Sequence, residues 1–196
     1  MNDVLAIAAR VGEPIVLVGH SSGAVVALEA ALAAPTRFAG MVLYEPPVAP
    51  TAPLGGEALV RANAALKDGD PGRAMEIHLR DIVQVSGPMF RIVRSIPPLW
   101  RRMSLYGPGQ IADDNALESL GVGLQRYGDV DIPVLLLGGG RSPKHLRVRL
   151  NALADVLPRI DSVVILKWQG HTANARAPRK VAQIVATFAD KVLPKP

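Results

Sequence analysis

The run Gly19-His20-Ser21-Ser22-Gly23 places a serine hydroxyl between two glycines with a histidine beside it. A shuffled chain of this composition would carry about 0.07 such G-x-S-x-G matches, so the bare pattern is only a modest hint. Its surroundings strengthen it. The apolar run Ile15-Val16-Leu17-Val18 precedes it, and residues 23–34 follow with Val25, Leu28, Ala31 and Leu32 at helical spacing before Pro35. A serine at a tight turn from strand into helix is held in strained backbone geometry. Glycines on either side remove Cβ atoms that would clash, and the helix start supplies N–H groups and a positive dipole end. Such a hydroxyl is suited to attack a carbonyl, with the backbone N–H of Ser22 donating to the oxyanion that forms. The plain alternative is a Gly/Ser turn that only begins a helix.

A serine hydroxyl needs a base to become a nucleophile. The chain has four histidines. His171 follows a predicted strand in Gln169-Gly170-His171, and a loop at the carboxyl end of a parallel strand is where such sheets present reactive groups. His20 is expected to support the turn, His78 to pack within a helix, and His145 to face solvent at a basic helix start. His171 is therefore the candidate base.

These residues need a scaffold, and three blocks provide one. Residues 1–47 read helix–strand–helix–strand: a short helix capped by Asp3, the Ile15–Val18 strand, the helix after Ser21, and a strand over Met41-Val42-Leu43-Tyr44 closed by Glu45-Pro46-Pro47. Residues 48–128 contain no convincing strand. Helical patterns at 56–67, 71–85, 88–103 and 110–126 are broken by prolines, which marks an all-helical insertion. Residues 129–196 return to alternation, with strands at Val134–Leu137 and Val163–Leu166 and helices at 146–157 and 178–193. Continuous apolar strands alternating with helices argue for a parallel α/β sheet with helices on both faces.

Composition excludes other chemistry. The chain has 196 residues, 49% of them hydrophobic, a net charge of +5 and a pI near 9.9. It has no cysteine, which rules out a cysteine nucleophile, a disulfide scaffold and a Cys-ligated zinc site. No cofactor is expected. The start of the chain carries no basic segment followed by an apolar run, and no stretch approaches a membrane span, so a cytoplasmic protein without membrane attachment is expected. Arg91, Arg94, Arg101 and Arg102, with Phe90 and Trp100 nearby, come closest to a nucleic-acid surface, but no nucleic-acid partner is expected.

The run from Ile15 to Ala24 resembles the fifth strand, nucleophile turn and following helix of the α/β-hydrolase superfamily. Leu43–Pro47 resembles the end of that family's sixth strand, the helical block its cap domain, Pro133–Gly138 its seventh strand and Val163–Leu166 its eighth. The resemblance implies a partial α/β-hydrolase fold of about four parallel strands, with a core over 1–47 and 129–196 and a helical cap over 48–128. It implies an ester-like small-molecule substrate attacked by Ser21, with His171 as base. Cap residues Met89, Phe90, Leu99, Trp100 and Met103 are candidates to line an acyl pocket, against the alternative of ordinary interior packing.

Two departures from the family pattern stand out. Members commonly carry a carboxylate after strand seven, where this chain reads Gly139-Gly140-Arg141-Ser142-Pro143. Some place the acid after strand six, where Glu45 stands. Glu45 is therefore the candidate partner of His171 Nδ1; its alternative is a strand-end carboxylate meeting a helix start or Arg141. Asp129 and Asp131 are expected at the amino end of strand seven, away from the site. Members also begin with several strands before the nucleophile turn, whereas about 14 residues precede the strand here, so the chain resembles the family's carboxyl-terminal two-thirds. Its first strand would form an apolar edge through which a homodimer is expected. A catalytically weak or inactive fragment is one rival reading. A cofactor-free haloperoxidase or C–C bond hydrolase is another, since fold does not fix chemistry.

Overall fold

A computed structural model describes residues 1–194. The chain forms two compact units: residues 1–50 together with the chain from Gly123 onward, and Thr51–Val122.

The first unit opens with α1 (Asn2–Val11), β1 (Ile15–His20), α2 (Ser22–Ala33) and β2 (Phe38–Tyr44). Asp3 lies in the first turn of α1 rather than at its cap, where the charge still complements the helix dipole. The second unit holds α3 (Gly56–Lys67), α4 (Pro71–Ile77), α5 (Gly87–Arg94), α6 (Pro97–Leu105) and α7 (Gly107–Ser119). The first unit resumes with β3 (Val134–Gly139), α8 (Lys144–Ala154), β4 (Ile160–Leu166), α9 (Ala173–Arg176) and α10 (Pro178–Val192).

The four strands form one parallel sheet in the order β1-β2-β3-β4. The two central strands are almost entirely buried, which is why they read as unbroken apolar runs. β1 is an edge strand whose Val18 is exposed. On one face of the sheet, Val42, Tyr44, Leu135 and Leu137 pack against Phe188 of α10, which is 2% exposed. Burying an aromatic ring of this kind stabilises a fold by about 2–3 kcal/mol relative to exposure.

The helical unit has its own interior. Leu59, Ala62, Ile77, Ile82 and Ile111 form one cluster, and Met75, Phe90 and Trp100 a second. Its Pro/Gly-rich entry is fixed by Glu118, whose carboxylate accepts the N–H groups of Leu54, Gly55 and Gly56 at 2.8, 3.1 and 2.9 Å. An anion at the start of α3 satisfies donors that the helix itself cannot. The predicted helix over 88–103 is two helices, because a residue before proline disfavours helical backbone and Ile96 precedes Pro97-Pro98. After α4 the chain continues as a π-helical turn, His78–Ile82. Among the described residues, no helix is long and apolar enough to cross a membrane.

Candidate active site

The carboxyl ends of the four parallel strands gather Ser21, Glu45 and His171. Ser21 sits between β1 and α2 at φ 54° and ψ −128°, a conformation that costs a non-glycine residue about 1–3 kcal/mol. Glu45, the residue after β2, is also left-handed, at φ 47°. The sheet holds both in place. The Ser21 N–H donates to Tyr44 O and the Glu45 N–H to Leu137 O, each at 3.0 Å, extending the ladder one residue past the strand.

Gly19 is needed for the turn. A Cβ there would lie 2.4 Å from Ala24 Cα and 2.5 Å from Gly23 O, so no side chain fits where the strand folds back on its helix. Gly23 differs from expectation, since a Cβ there would meet nothing within 4 Å. The clash that the sequence pattern suggests on both sides exists on one only.

His171 Nδ1 and Glu45 Oε2 lie 2.7 Å apart. The other carboxylate oxygen, Oε1, accepts the Gly139 N–H at 2.7 Å. Glu45 is 2% exposed. Burial pushes its carboxyl up, but the hydrogen bonds from His171 and the Gly139 N–H outweigh burial and hold it below the ordinary glutamate value. Glu45 therefore stays ionised. With Nδ1 so engaged, Nε2 is the His171 nitrogen left for proton transfer.

Tyr44 ties the loops together. Its carbonyl holds Ser21, its hydroxyl donates to Gly170 O, and the Ala173 N–H donates to that hydroxyl at 3.1 Å, fixing the His171 loop from both sides. Burial raises the Tyr44 phenol to about 12, so it remains a donor. His20 Nε2 donates to His171 O at 2.7 Å, and the two rings lie 4.6 Å apart between centroids. Burial, followed by the neighbouring His171, lowers His20 below the ordinary imidazole value, which keeps a second cation away from His171.

No local sequence pattern marks Tyr44, Gly139 or Ser142 as supports of the site. The signal available for Tyr44 was its position next to Glu45 at a strand end. Arg141, standing where a carboxylate is common, has its guanidinium 5.2 Å from the Trp168 ring centroid instead. His145 departs from its expected solvated place: both ring nitrogens are buried without a hydrogen-bond partner, because α8 packs its first turn inward with Leu146. Burial, with Arg149 and His171 nearby, lowers it to about 4. His78 is buried as expected, paired with Asp114 at 2.6 Å. Asp131 meets Arg159 at the amino end of the sheet.

Ser22 opens α2. Of the residues considered for an acyl pocket, Phe90, Trp100 and Met103 pack together inside the helical unit. Met89 and Leu99 are exposed.

Among solved structures, the chain is similar to an alpha/beta hydrolase from Sphaerobacter thermophilus, with 28% identity over 92% of this chain and 71% of that one and a TM-score of 0.75. It is similar in fold to a thermophilic esterase from Thermogutta terrifontis, at 23% identity, 97% and 70% coverage and a TM-score of 0.71. The enol-lactonase from Burkholderia xenovorans also shares the fold, at 14% identity, 95% and 70% coverage and a TM-score of 0.70. No curated protein sequence matches. The model of the alpha/beta hydrolase family matches residues 1–194, and the chain, with its four parallel strands and its serine turn after β1, belongs to that family.

Proposed function

We propose that this protein is a serine hydrolase acting on ester-like small molecules through Ser21, His171 and Glu45. The observation that carries the reading is the strained Ser21, held by Tyr44 at the same end of one sheet as the His171–Glu45 pair. In this reading Ser21 Oγ attacks the substrate carbonyl while His171 Nε2 takes its proton. Glu45 accepts the Nδ1–H hydrogen bond, fixes the tautomer and stabilises the imidazolium. The N–H of Ser22, at the positive end of α2, donates to the oxyanion. Collapse of the tetrahedral intermediate breaks the ester bond, and His171 returns the proton to the departing alcohol. Water, deprotonated by His171, then attacks the acyl-serine; the acyl–Oγ bond breaks, the carboxylic acid leaves, and His171 returns the proton to Ser21 Oγ.

The family membership supports hydrolysis as the reaction class, and the esterase and enol-lactonase among its structural relatives make an acyl-oxygen bond the natural first target. The test is release of 4-nitrophenol from 4-nitrophenyl acetate by the full chain. The reading expects enzyme-dependent turnover that falls about 10⁵–10⁶-fold in Ser21→Ala, the loss found when a serine-hydrolase nucleophile is removed. Turnover that survives in Ser21→Ala would refute it.

A further inference from the structure

Charge is segregated along the strands of the first unit. Between Asp131 and Asp155, the stretch that runs through β3 and all of α8, the sequence carries Arg141, Lys144, Arg147 and Arg149 and no acid. Between Asp161 and Asp190, through β4 and most of α10, it carries Lys167, Arg176, Arg179 and Lys180 and again no acid. All eight lie in the loops at the carboxyl ends of β3 and β4 or in the helices that follow. None is in an ion pair among the described residues. The amino ends differ: Arg159 pairs with Asp131 at 3.5 Å, and Lys191 pairs with Asp161.

The carboxylate that the carboxyl end does hold, Glu45, is buried and engaged by Gly139 and His171. Among the described residues these cations make no ion pair, and they lie on the loops and helices that follow the strand ends bearing Ser21. Charges of one sign beside a low-dielectric site attract and concentrate small ions of the opposite sign.

Arg141 is the best placed of these groups. Its N–H donates to Gln169 O at 2.9 Å, which ties it to the loop that carries His171. Its guanidinium lies over the ring of Trp168, which is 70% exposed. A guanidinium held 5.2 Å over an aromatic centroid makes a cation–π contact and can still present N–H groups in the fork geometry that matches a carboxylate.

We propose that the substrates are esters carrying a carboxylate, and that Arg141, held over the Trp168 ring, receives it. This inference rests on the hydrolase reading above and narrows its substrate class.

Matched ester pairs test it. The 4-nitrophenyl monoester of adipic acid is compared with 4-nitrophenyl hexanoate, which puts the charge on the acyl side. Comparing 4-acetoxybenzoate with 4-acetoxybenzamide puts it on the leaving side. In at least one pair, kcat/KM at low ionic strength is expected to be about tenfold higher for the charged member. The ratio should shrink toward one by about 0.5 M salt, and Arg141→Gln should reduce it severalfold. Arg10→Gln, in α1, should leave the ratio as it is. Equal rates in both pairs, or a preference indifferent to Arg141→Gln, would overturn the proposal while leaving the hydrolase reading standing. If none of the four esters turns over, the hydrolase reading fails on its own. Calorimetry of adipate with the full chain then decides the binding claim. Binding that weakens in Arg141→Gln supports it, and no adipate binding at millimolar concentration overturns it.

Discussion

The molecule contains two histidine–carboxylate pairs of nearly identical geometry and different surroundings. His171 Nδ1 meets Glu45 at 2.7 Å in the sheet unit, and His78 Nδ1 meets Asp114 at 2.6 Å in the helical unit. In the first pair the histidine side chain is 20% exposed, whereas both side chains of the second are 9% exposed. Glu45 is left-handed and follows a strand whose ladder also holds the strained Ser21. Asp114 lies within the regular α7, and His78 opens a π-helical turn. The same hydrogen bond therefore serves different ends. Beside a strained serine and within reach of solvent it can orient a base; sealed among helices it satisfies two polar groups that burial would otherwise penalise.

Substitutions can break this contrast. Glu45→Gln keeps the shape of the first pair but removes its charge and favours the wrong imidazole tautomer, so turnover is expected to fall about 10⁴-fold with folding intact. Far-UV circular dichroism and ester kinetics on the same sample would check both halves. An effect below tenfold would move Glu45 out of the reaction and leave it a structural acid.

The second pair should answer in stability instead. Asp114→Ala leaves a buried histidine without its hydrogen-bond partner and is expected to cost about 1–3 kcal/mol in urea unfolding. The turnover of the folded protein should change by less than about threefold. A large loss of kcat with unchanged stability would mean that the helical-unit pair belongs to the reaction too.

Acidity offers a smaller, graded test. Burial holds His20 below its ordinary 6.5 and His145 at about 4, so unfolded chains take up protons below pH 6.5 that the native state refuses. Stability contributed by these rings is present above pH 6.5 and is lost as the pH falls toward 4. Glu45 acts with the same sign at lower pH, because its carboxyl is held below the ordinary 4.5 and its contribution disappears as it protonates. Urea midpoints should therefore decline from pH 7 to 4, and the His145→Phe variant should flatten that decline. A midpoint that rises on acidification would contradict the burial of these rings.

What the sequence revealed and what it hid follow one physical rule. Ser21 was legible because its geometry is local: an apolar strand, a small-residue turn and a helix start within twenty residues. The two central strands were legible because parallel strands buried on both faces read as unbroken apolar runs. The partnership of Glu45 with His171 spans 126 residues and depends on strand register, so sequence could only offer it through family resemblance. The hub role of Tyr44 was hidden for the same reason, since its carbonyl and hydroxyl reach loops at opposite ends of the chain. His145 was misread because a basic neighbourhood suggests solvent, while the packing of α8 decides its burial. The break at Ile96 was written in Pro97-Pro98, a local signal that helical periodicity obscured.

The central claim is that Ser21 is an activated nucleophile, and covalent capture tests it most directly. A fluorophosphonate should add once to the folded protein, with peptide mapping placing the adduct on Ser21, and it should react with neither Ser21→Ala nor urea-unfolded protein. A folded protein that takes up no label, or takes it up at another serine, would contradict the account.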